Sequence, residues 1–94
     1  MKTGDKYFVR IDKKLTDQQL DKTTLGSHMA YIRKLASETE LYAGGFKGFP
    51  GGMIVFRAKN FTDADLMCKQ DPIVVKGYYS YNLYEWGILL TSLN

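Results

Sequence analysis

Apolar residues dominate "KYFVRI" (6–11), a short run that is β-branched and aromatic. Tyr7, Val9 and Ile11 fall on one side and Phe8 on the other. Gly4-Asp5 and Asp12 bound the run, which predicts a strand. Thr16 or Asp17 can cap the helix that follows, and nothing in 17–39 interrupts it except Gly26. Leu25, His28, Ile32 and Leu35 lie at i, i+3, i+7 and i+10 and so share one helix face. "ELYAGGF" (40–46) reads as a second strand ending in glycines, "FKGFPGG" as turn chemistry, and "MIVFRA" (53–58) as a third strand. Thr62 or Asp63 caps a shorter helix, 63–70. It stops before Asp71-Pro72, because a residue preceding proline avoids the helical region. Ala64, Met67 and Cys68 form its apolar stripe, which Asp71 continues at i+7 from Ala64. The last strand, 77–86, is "GYYSYNLYEW", with an apolar tail "GILL" behind it.

The order is βαββαβ. Short connections and right-handed crossovers fold that order into an α+β, ferredoxin-like domain spanning 1–94: a four-stranded antiparallel sheet with both helices on one face. Yet Met53 and Val55 on one side of the third strand, and Ile54 and Phe56 on the other, are all apolar. A sheet apolar on both faces needs a second cover. A homodimer packed sheet to sheet supplies the simplest one.

Composition narrows the partners. The 94 residues are 45% hydrophobic and 14% aromatic, as in a globular domain rather than a disordered chain. A formal charge of +3, without runs of one sign, gives no argument for nucleic acid. The single cysteine, Cys68, excludes an internal disulfide and any multi-cysteine metal site. No apolar run reaches transmembrane length, and "MKTGDKYFVRIDKK" lacks the apolar core of a signal peptide, so no membrane association and a cytoplasmic location are expected.

Candidate chemistry centres on "TTLGSHMAYIRKL" (23–35), which holds the only histidine. Gly26-Ser27-His28-Met29 resembles the remnant of a cleaved affinity tag, but the residues before it supply the first strand that the sheet requires, so His28 reads as native. Taken alone, a histidine on an apolar helix face is more often a hydrogen-bonded core residue, and Asp-Pro at a helix end is common turn chemistry. Together the two differ from that. Each interrupts the apolar face of its own helix, so both point between helices and sheet. There a carboxylate needs a donor and an imidazole needs an acceptor. A histidine held by an aspartate is also how a general base is oriented and its imidazolium stabilised.

His28 in mid-helix, the "AGGF" strand end, "GGMIVFRA", an acidic short helix, "DP" and "GYYSYNLYEW" together resemble the YciI-like (YCII-related) family of dimeric α+β barrel proteins. The resemblance runs from the first strand to Trp86. It implies that His28 and Asp71 are the family's paired active-site residues in a cavity near a dimer interface. It also places Gly45 and Phe46 at the substrate-binding mouth. The chain departs from the family's pattern in two places. "SETELY" stands where a glycine usually separates the first helix from the second strand, and Phe46 stands where proline usually follows the strand-two glycine. The activity implied is cofactor-free proton transfer or elimination on a small cyclic metabolite, by a metal-free lyase or isomerase. A non-catalytic small-ligand binder with the same cavity is the alternative. One histidine, one aspartate and a distant cysteine fall short of a usual metal ligand set. "FKGFPGGMIVF" has some likeness to an RNA-recognition strand, but "PGG" splits that pattern. Tyr78, Tyr79, Tyr81 and Tyr84 read as half-buried strand residues, and Cys68 as a small core residue.

Overall fold

The computed structural model describes residues 1–92. Seven elements follow in order: β1 (Lys6–Lys14), α1 (Lys22–Glu38), β2 (Leu41–Gly45), β3 (Gly52–Phe56), α2 (Phe61–Lys69), the single-turn α3 (Pro72–Val75) and β4 (Tyr79–Gly87). The strands form one antiparallel sheet in the order β2-β3-β1-β4, which is the ferredoxin-like arrangement expected from the pattern. Among the described residues no helix is long and apolar enough to cross a membrane.

The first helix begins five residues later than the pattern suggested, because two local preferences outcompete helix there. β1 continues to Lys14, which pairs with Tyr79, and Leu15 donates its N–H to the Tyr78 carbonyl. Thr16 turns its hydroxyl to the Gln18 N–H at 3.2 Å instead of capping a helix. The cap is Asp21, whose carboxylate accepts from the Thr24 N–H at 2.7 Å and the Thr24 hydroxyl at 3.0 Å. Asn60, not Thr62 or Asp63, caps α2, accepting from the Asp63 N–H at 2.8 Å. Asp71 lies outside α2 altogether and caps α3.

Strand register divides the sheet cleanly. Phe8, Arg10 and Asp12 of β1 share the helix-covered face with Ile54, Phe56, Tyr81 and Leu83. Phe8, Ile54 and Phe56 join Ile32 of α1 and Ala64 and Cys68 of α2 in the main core. On the opposite face a smaller cluster of Tyr7, Val55 and Ile88 forms where the chain after β4 folds back, with Ile88 exchanging backbone bonds with Gly4 and Asp5. Beyond that cluster this face is uncovered: Met53, Tyr42, Tyr84 and Trp86 are all exposed.

Candidate active site

The site is built outward from Asp71. α2 ends at Lys69, the chain turns through Gln70, and Asp71 caps α3 with Pro72 behind it, where the missing N–H costs nothing. The Asp71 Oδ1 accepts from the Ile73 N–H at 3.1 Å, which fixes the carboxylate in a fully buried position. From α1, His28 Nδ1 lies 2.8 and 2.9 Å from the two Asp71 oxygens. From the centre of β1, the Arg10 Nη1 donates to Asp71 Oδ2 at 2.9 Å. The rest of the guanidinium serves Asp12, with Nε to Oδ1 at 2.6 Å and Nη2 to Oδ2 at 3.3 Å. It also lies 5.6 Å from the Tyr81 ring centroid. Among the described residues every buried side-chain nitrogen and oxygen has a partner.

This arrangement sets the protons. Burial pushes the Asp71 carboxyl up, but the bond from His28, the Arg10 charge and the Ile73 N–H together outweigh it and hold the carboxyl below its ordinary range. An ionised Asp71 can only accept, so His28 Nδ1 carries a hydrogen, and the matching neutral tautomer has its lone pair on Nε2. Asp12 ends on the other side: burial pushes its carboxyl up, and its bonds to Arg10 offset that only in part. Burial alone would lower the Arg10 pKa, yet the two carboxylates raise it, so the guanidinium stays charged. One cation serves two carboxylates, and the cluster carries one net negative charge while His28 is neutral.

The His28 ring is largely buried and borders a cavity of about 360 Å³ between helices and sheet. Leu25, Met29 and Ile32 of α1 with Ile54 and Ile73 give it apolar walls, and Tyr79 and Asp12 add polar groups to the lining. Part of its sheet side is glycine backbone: Gly44, Gly45, Gly51 and Gly52. Two of those glycines are sterically required. A Cβ on Gly51, whose φ is +98°, would stand 2.4 Å from the Asp12 carbonyl oxygen, and one on Gly52 would stand 2.5 Å from that of Gly44. A shallower depression of about 460 Å³ on the open face, lined by Val9, Tyr42, Met53, Val55 and Trp86, has little polar chemistry to offer.

Of the residues singled out in the sequence, His28 and Asp71 are in contact across 43 positions, and Gly45 borders the same cavity. Phe46 lies outside it. It is 40% exposed and borders two other depressions, one with Tyr42 and Met53, the other with Ile11 and Phe49. The helix face also shifts. Thr24, Ile32 and Leu35 are its buried residues, while Leu25 stands at the cavity edge, 46% exposed. Arg10 and Asp12 were missed. Their signal was present, since both are in phase with Phe8, two and four residues on, and so share the face that the helices cover. Cys68 is buried, and burial pushes its thiol up to about 12, far from a thiolate nucleophile. Among the described residues no three of His, Cys, Asp and Glu converge as a metal-binding group.

No known family profile and no curated protein matches this chain. Among solved structures it is similar to 5-chloro-2-hydroxyhydroquinone dehydrochlorinase from Burkholderia phenoliruptrix, determined in complex with 2,5-dihydroxybenzoquinone. The TM-score is 0.68 over 85% of this chain and 92% of that one, at 16% sequence identity. The two chains share the α+β fold.

Proposed function

We propose that the chain, 1–94, is a YciI-like protein and a small-molecule enzyme of the cytoplasm, using His28 and Asp71 for cofactor-free acid–base chemistry on a small cyclic metabolite. The observation that carries this reading is His28 Nδ1 held between both oxygens of a buried, Arg10-anchored carboxylate, at the edge of a mostly apolar cavity. In the reaction, the Nε2 lone pair takes a proton from a substrate hydroxyl or an acidic C–H. The electron pair left on the substrate forms a new π bond and, in an elimination, expels a leaving group from the neighbouring carbon. Asp71 stabilises the imidazolium until the proton is returned to product or solvent. The dehydrochlorination named for the structural neighbour is an elimination of this class on a small ring, which supports the choice.

The uncovered sheet face, with Tyr42, Met53, Tyr84 and Trp86 exposed, supports association with a second copy through that face. The catalytic reading is tested with chlorinated hydroxyhydroquinones as a first panel, following chloride release, and with His28→Ala beside the wild type. The expected result is turnover that falls by about 10²–10⁴-fold in the variant while ligand affinity is kept. Ligand binding by both proteins with turnover in neither would identify a non-catalytic binder instead.

A further inference from the structure

We propose that Asp12 is a second ligand-facing group of the His28 cavity. It selects an uncharged molecule carrying two hydrogen-bond donors, one for Asp12 and one for His28, and turns away carboxylates and phosphates. This rests on the reading of that cavity as the functional site and adds the class of molecule it accepts.

Three observations converge. First, Asp12 borders the cavity with His28, and its carboxylate is fixed side-on by Arg10. Each carboxylate oxygen has two lone-pair sites, so one Arg10 bond on each leaves capacity for a ligand hydroxyl or N–H. Second, the cation that would attract an anion is turned away. Arg10 is buried behind the cavity lining, and its charge is shared between Asp12 and Asp71. Among the described residues no lysine or arginine borders the cavity. Lys76 is bonded to Thr24, and Lys13 and Lys14 border a different depression, beside Phe49, which Asp12 also touches. Third, apart from Tyr79 the remaining walls are apolar side chains or glycine backbone, which suits a flat apolar body. An anionic ligand would stand beside the Asp12 carboxylate, where like charges are disfavoured, with no cation on the cavity wall to pair it. A neutral ring bearing two hydroxyls meets an acceptor at each: the Asp12 carboxylate and the His28 Nε2.

The test needs no turnover, so its failure is separable from that of the acid–base reading. Catechol, resorcinol and hydroquinone place two hydroxyls at three spacings. Each is titrated into the wild-type protein beside phenol and benzoate, following the side-chain resonances of the single histidine. The best diol should bind at least about tenfold more tightly than benzoate and several-fold more tightly than phenol. In Asp12→Asn the diol-to-benzoate ratio should shrink toward unity, because the repelling charge is gone. Benzoate binding as well as the best diol, phenol matching that diol, or no binding by any of the five in the wild type would each overturn the proposal. The wild-type comparison stands even if the variant does not fold.

Discussion

The two faces of the sheet use the same strand in opposite ways. In β1, Phe8, Arg10 and Asp12 turn toward the helices, while Tyr7, Val9 and Ile11 turn away. The covered face carries Arg10 and Asp12 in mid-strand yet is the more deeply buried; the other presents Met53, Tyr42, Tyr84 and Trp86 and leaves them exposed. Apolar character alone therefore does not say which face holds the core. Cover does, and cover comes from where α1 and α2 dock. Under that cover an ion pair is removed from water, which makes the cluster both costly to leave incomplete and able to orient an imidazole.

The largest expected effect comes from breaking the covered face. Arg10→Met removes the cation between two buried carboxylates and should destabilise the protein by about 3–5 kcal/mol in urea unfolding. A loss below about 1 kcal/mol would mean that the cluster is better hydrated than its burial indicates. The open face should respond in the opposite manner. Trp86→Lys, at a position 44% exposed, should leave folding stability within about 0.5 kcal/mol. If a second copy covers this face, the same change should weaken association by about 2 kcal/mol or more, shifting a dimer toward monomer in sedimentation analysis. Unchanged association, or a monomeric wild type at micromolar concentration, would remove the sheet-to-sheet dimer.

The smallest effect is a slope. The native Asp71 carboxyl sits below its ordinary value of 3.8, so its contribution is fully present above that value and is lost as pH falls through the native one. The melting temperature of the wild type should therefore fall more steeply below pH 4 than that of Asp71→Asn. Asp12 works against this trend, because a carboxyl raised in the native state favours folding as pH falls. Parallel acid limbs for the two proteins would show that Asp71 gains nothing from its partners.

Much of the fold was legible because period-two and helical patterns mark β1, β3 and the body of α1 directly. The boundaries that failed, at 17–21 and 60–62, are places where several residues can cap and tertiary pairing chooses among them. Strand pairing to β4 took residues up to Lys14, and Asp21 then won over Thr16 and Asp17. His28 could be singled out because it interrupts an apolar helix face, whereas the stripe that led to Asp71 stops short of it, at the end of α2. Arg10 and Asp12 are equally inward by alternation, but in the sequence Asp12 reads as the boundary of the strand, whereas β1 continues through it to Lys14. Phe46 was placed by resemblance rather than by pattern. The alternation that puts Gly45 on the helix side puts the next residue on the other.

By itself the sequence determined the element order and the antiparallel ferredoxin-like sheet, because these follow from local periodicities and chain-connection rules. Only the tertiary structure decided that Arg10 ties Asp71 to Asp12, that Asp71 caps a separate turn, and that glycine backbone forms part of one side of the cavity. Those features depend on side chains meeting from β1, α1 and α3, and no pattern along one segment records what stands opposite it.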